Sequence, residues 1–95
     1  MRSYELMVIH HPEMDESAVQ TAIGELEAAI AESGTVSGSD FWGKRRFAYE
    51  IDHIREGYYS VIDFEAEYEI TQRISQALAL SDAVIRHKIV RSSKC

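Results

Sequence analysis

The chain has 95 residues, 45% of them hydrophobic and 27% charged, with a formal net charge of −6 at neutral pH. That length bounds one domain with one core (residues 1–95), and the balance excludes a disordered chain. No apolar run reaches the ~18 residues of a membrane span and no basic-then-apolar leader opens the chain, so a cytoplasmic protein with no membrane partner is expected.

From Arg2 to His10, Tyr4, Leu6 and Val8 alternate with Glu5, Met7 and Ile9, and both sets are largely apolar, as a central strand requires. His10, His11 and Pro12 break it, because proline lacks a ladder donor. Asp15 is a good N-cap, Glu16 suits the positive end of a helix, and Val19, Ile23, Leu26 and Ile30 recur at helical spacing. Ser33-Gly34 is expected to end this helix with glycine in the left-handed conformation.

Further on, Phe47, Tyr49 and Ile51 alternate with Arg46, Ala48 and Glu50, which predicts a strand whose apolar side fills the core under the helices. Gly43 near its start is a place for a bulge. Arg55-Glu56-Gly57 reads as a turn, and Tyr58 to Glu67 as a third strand with Tyr58, Ser60, Ile62 and Phe64 on one face. Tyr59, Val61, Asp63 and Glu65 occupy its other face. Ile70, Ile74, Ala77 and Leu78 mark a second helix ending near Ser81-Asp82. Val84 to Arg91 is the fourth strand, with Arg86 and Lys88 projecting from one face. The order strand, helix, strand, strand, helix, strand predicts an α+β, ferredoxin-like βαββαβ sandwich. Its four-stranded antiparallel sheet carries both helices on one face, with the first and third strands central, and leaves the other face open.

Charge is unevenly placed along this order. No Lys or Arg occurs between Ser3 and Gly43, where Glu5, Glu13, Asp15, Glu16, Glu25, Glu27, Glu32 and Asp40 all fall. Cations concentrate at Lys44, Arg45 and Arg46, and at Arg86, Lys88, Arg91 and Lys94 in an acid-free final ten residues, with Arg2 at the start. The triplet has two readings: a phosphate clamp, or charges that keep an edge strand from aggregating. Cations on a second strand and near strand ends tilt the choice toward polyanion binding. Phe41 and Trp42 are neighbours, so in an extended chain they cannot enter the same core, and one should reach the surface to meet a base or a protein partner.

Other groupings carry less. His10, His11, Glu13 and Asp15 match no metal-ligand spacing with a mechanism behind it, and the only cysteine, Cys95, allows no disulfide or thiolate cluster. His87 lies on an apolar strand face and reads as a satisfied imidazole. Glu5, Glu50, Asp63 and Glu65 are expected in cross-strand ion pairs with Arg46, Arg86 and Lys88. The glycines form neither a Walker loop nor a dinucleotide fingerprint, so no cofactor is expected.

"MRSYELMVI", "WGKRRFAYEI", "EGYYSVIDFEA" and "SDAVIRHKIVR", in that order, together resemble the bacterial ribosomal protein S6 family of the small subunit. The most specific stretch is Gly43 to Ile51, similar to that family's signature of glycine, basic pair, large apolar residue, alanine, tyrosine, any residue and isoleucine. Phe47 stands where leucine is usual, and Asp52 where a basic or small polar residue is commoner. The resemblance implies a non-catalytic protein that binds small-subunit (16S) ribosomal RNA together with ribosomal protein S18, with no DNA partner. On that basis Arg2, Lys44, Arg45, Arg46, Arg86, Lys88 and Arg91 are expected at RNA, and Phe41, Trp42 and Tyr59 at the protein partner. Two alternatives remain open on the residues alone. One is a homodimeric ferredoxin-like ligand-binding domain or small enzyme using the open sheet face. The other, an acylphosphatase-like hydrolase, needs an arginine after the first strand, where this chain has His10-His11-Pro12-Glu13.

Overall fold

Alternation sorts each strand's side chains onto two surfaces, and the register between strands decides which of them meet. The computed structural model describes residues 2–51 and 53–92, with Ile51 described for its backbone alone; Asp52, Lys94 and Cys95 lie outside the described residues. In order come β1 (Arg2–His10), α1 (Glu16–Ser33), β2 (Thr35–Ile51), β3 (Ile54–Ala66), α2 (Tyr68–Ala79) and β4 (Val84–Arg91). The strands make one antiparallel sheet ordered β2-β3-β1-β4, the expected ferredoxin-like arrangement with β1 and β3 central.

On one sheet face, Tyr4, Leu6 and Val8 of β1 stand beside Phe64, Ile62 and Ser60 of β3. Val19, Ile23 and Ile30 of α1 and Ile74 and Leu78 of α2 close over them to complete the core. Full burial of each such aliphatic side chain is worth about 1.5–3 kcal/mol, so this layer is what holds both helices to the sheet. Asp15 precedes α1 in extended conformation, but its side chain makes no capping bond.

Three expectations need correction. Gly34 is not a left-handed cap: its φ of −157° is extended backbone. A side chain there is excluded instead by the Glu65 carbonyl and Ala66 of β3, so glycine serves close approach between the end of α1 and the sheet. Arg55, Glu56 and Gly57 are not a turn but the start of β3, and the chain reverses around His53, whose φ is 67°. Finally, Phe47 and Tyr49 do not fill the core under the helices. Between Phe41 and Gly43 the register of β2 on β3 shifts by one residue, and Gly43 takes a φ of 82°. One extra residue exchanges the faces of everything beyond it. Phe41 therefore points to the helix side and stacks on Tyr58, whereas Phe47 contacts Tyr59 on the opposite face and Tyr49 is 86% exposed.

Candidate functional site

The open face can be laid out row by row from the register. One row runs Gly43, Tyr59, Ile9, Arg86 across β2, β3, β1 and β4; the next runs Asp40, Val61, Met7, Lys88; a third runs Gly38, Asp63, Glu5, Val90. The face is thus divided along its strands. Glu5 and Asp63 lie directly opposite one another at one end, while the other end carries rings, aliphatic side chains and cations.

At that second end Trp42 lies parallel to Tyr59, with centroids 6.2 Å apart and 6° between planes, and Phe47 meets Tyr59 edge-on at 5.7 Å. The indole Nε1–H donates to Asp40 Oδ2 at 3.0 Å, which fixes the orientation of a ring that is still 45% exposed. Gly57 makes room for this cluster. A Cβ at that position would sit 2.8 Å from Ile9 Cγ2 and 3.1 Å from Phe47 Cζ.

Among the described residues Arg45, Arg46, Arg86 and Lys88 are exposed and make no ion pair. The expected pairing of open-face carboxylates with Arg46, Arg86 and Lys88 is therefore overturned. Glu50 binds Arg55 at 3.0 Å and lies 4.0 Å from His53. Lys44 differs from its two neighbours: it sits 5.3 Å above the Tyr58 ring and 3.8 Å from Glu56, on the side away from Trp42.

The sequence-predicted contact residues consequently separate into three groups. Arg45, Arg46, Arg86 and Lys88 surround Trp42 and Tyr59, with Arg45 and Arg46 lining the hollow beside those rings and Arg86 and Lys88 the hollow beyond Tyr59. Phe41 and Lys44 occupy the helix side of the hairpin. Arg2 and Arg91 stand at the other end of the sheet, Arg2 opposite Ala66 and Arg91 opposite Tyr4. Sequence reasoning missed Phe47 as part of this surface; the Trp42-Gly43 pair was the signal, since a glycine bulge re-aims the side chains that follow it.

His87 does not belong to this face. It hydrogen-bonds Ser75 Oγ at 2.9 Å across α2 and β4, the satisfied imidazole expected of it. His10 is buried, and burial holds its pKa below the usual imidazole value. Among the described residues no group of three or more His, Cys, Asp and Glu is placed to hold a metal ion, and no helix is long and apolar enough to cross a membrane.

Fold and surface together define a ferredoxin-like protein with an uncovered sheet face bearing rings and unpaired cations. The chain belongs to the ribosomal protein S6 family, whose model matches residues 3–91. It is 45% identical to the small ribosomal subunit protein bS6 of Carboxydothermus hydrogenoformans over 99% of each chain. With the bS6 of Clostridium perfringens it shares 41% identity over 99% of this chain and 100% of that one. The crystal structure of the 30S ribosomal protein S6 from Thermotoga maritima superposes with a TM-score of 0.90 at 29% identity, covering 96% of this chain and 87% of that one. The C-terminal domain of the MgtC protein from Mycobacterium tuberculosis, at 15% identity and a TM-score of 0.60, shares the fold alone.

Proposed function

We propose that this protein is a non-catalytic structural component of the small ribosomal subunit, which binds 16S ribosomal RNA jointly with ribosomal protein S18 during platform assembly in the cytoplasm. Full-length similarity to relatives named as small-subunit proteins supports the ribosomal role. The single structural observation that carries RNA binding is the set of cations without an ion pair among the described residues at one end of the sheet of an otherwise acidic chain: Arg45, Arg86 and Lys88 in register on the open face, with Arg46 at the margin of the hollow beside Trp42 and Tyr59. Phosphates attract such cations through counterion release, and arginine adds bidentate geometry. Arg2 and Arg91 stand apart from this set, at the far end of the sheet and in register with Ala66 and Tyr4 of the helix-covered side.

The acidic balance gives the partner its part. With a net charge of −6, the chain repels a polyanion at long range, and a basic second protein on the acidic surface offsets that repulsion. Affinity for small-subunit RNA is therefore expected to rise when S18 is present, and by linkage the RNA must raise affinity for S18 by the same factor. Filter binding with 16S platform RNA, with and without S18, tests this. Equal affinity in both would contradict joint binding.

A further inference from the structure

We infer that the ring-bearing end of the open face takes an unpaired strand of RNA, with bases stacked on Trp42 and Tyr59 and phosphates held at the two margins of the sheet. The inference rests on the RNA-binding reading above and moves Trp42 and Tyr59 from protein contact to base contact.

The register supplies the geometry. Arg45 and Arg46 lie on β2, Arg86 and Lys88 on β4, and β3 and β1 run between them. Three strand spacings set β2 and β4 about 14 Å apart across the sheet. The floor between them is apolar and aromatic: Tyr59 and Ile9 in one row, Val61 and Met7 in the next, with Trp42 beside Tyr59. Tyr59 borders two open hollows of about 780 Å³ and 330 Å³, one with Trp42, Arg45 and Arg46, the other with Ile9, Arg86 and Lys88. Each hollow therefore offers ring surface next to two cations that make no ion pair among the described residues.

That combination suits a single strand. A duplex keeps its bases stacked on one another and presents only backbone and groove edges, so rings flush with a sheet have nothing to stack on. Unpaired bases have free π-faces, and stacking on aromatic side chains is the means by which sequence-tolerant binders hold them. The indole is already oriented by Asp40 and Tyr59, so little side-chain freedom remains to be lost on stacking. A protein docked over Trp42 would cover Arg45, Arg46, Arg86 and Lys88 as well, and burying them demands a matched set of acidic groups. A strand of RNA brings one phosphate with every base.

Trp42 is the only tryptophan in the chain and reports its own contacts by fluorescence. The full-length protein is titrated at low salt with a short oligoadenylate, with a ribose-phosphate chain of equal length lacking bases, and with an RNA duplex of equal length. Stacking predicts saturable quenching by the oligoadenylate and binding of the abasic chain weaker by at least about fivefold per base lost. Trp42→Ala, followed by the anisotropy of a dye-labelled oligoadenylate because the variant has no tryptophan, should weaken oligoadenylate binding to a similar degree with the circular dichroism spectrum unchanged. Equal binding of oligoadenylate and abasic chain overturns the inference, as does an unquenched Trp42. So does a shift of Trp42 emission with S18 alone that RNA does not alter, which would assign the rings to protein. Sedimentation of the wild-type chain with 16S RNA and S18 is followed in parallel. Incorporation without any base-dependent quenching defeats the stacking inference while leaving the ribosomal role; failure of wild type to incorporate defeats the ribosomal role itself.

Discussion

Replacing Gly57 by alanine tests how the fold builds its outward surface. A Cβ at residue 57 would meet the His10 carbonyl oxygen and Ile9 Cγ2 at 2.8 Å and Phe47 Cζ at 3.1 Å. The phenyl ring of Phe47 can tilt away. The His10 carbonyl cannot, because it belongs to the backbone of a strand paired on both sides, by β3 and by β4. Overpacking of this kind costs about 1–3 kcal/mol, and contact with a fixed backbone atom places Gly57→Ala toward the upper end. Gly43→Ala is the matched comparison: nothing lies within 4 Å of a Cβ there, but a φ of 82° leaves about 1–2 kcal/mol of backbone strain. Urea unfolding followed by circular dichroism gives both costs, and Trp42 emission reports on the ring cluster. Gly57→Ala should disturb that emission through Phe47 and Tyr59. A Gly57→Ala protein as stable as wild type, or stabilised by the 0.4–1 kcal/mol or so expected of an unhindered glycine replacement, would refute the close approach of β3 to β1 and Phe47.

Leu78 is buried in α2 against the sheet, so Leu78→Ala should cost about 2–5 kcal/mol by denaturant unfolding, and a loss below about 0.5 kcal/mol would mean the helix faces another way. His10 is 3% exposed, its Nδ1 has no partner among the described residues, and burial lowers its pKa. The unfolded chain then binds this proton more readily than the folded one. Its contribution to stability should be complete above the unfolded value of about pH 6.5 and decline as pH falls toward the folded pKa; His10→Gln should flatten that part of the profile. Arg45→Ala with Arg46→Ala should leave the fold intact and make the slope of log RNA affinity against log salt shallower by roughly 1.4–1.8, two phosphate contacts at about 0.7–0.9 each. Lys44→Ala should change that slope less, since Glu56 and Tyr58 already hold the ammonium group.

The element order, the central position of β1 and β3, and the faces of β3 and of β4 from Arg86 onward were legible in the sequence, because uninterrupted alternation carries the face of a side chain directly; Val84, read on the face of Arg86, packs instead against the core, across a register shift at Ile85. β2 broke that rule. Phe47 and Tyr49 share a phase that looks like core, and the extra residue at Trp42-Gly43 puts Phe47 on the face opposite to Phe41. Gly43 marked the place, but a glycine alone does not tell whether the strand bends, bulges or ends. Gly57 misled in the opposite sense: beside Arg55 and Glu56 it has turn composition, yet it is glycine because β1 and Phe47 lie against it. The cations were legible as a group and not as individuals. Lys44, Arg45 and Arg46 are consecutive, so a strand must divide them between faces, and the division depends on the same bulge.

The ribosomal account is tested most directly by expressing the tagged full-length chain in a bacterium carrying its own ribosomes and sedimenting the lysate. The account predicts that the chain travels with small subunits at a ratio to 16S RNA similar to that of S18, and that high salt releases it. Recovery as a free homodimer without RNA, at low salt and in the presence of intact small subunits, would contradict it and favour a protein that pairs through its open sheet face.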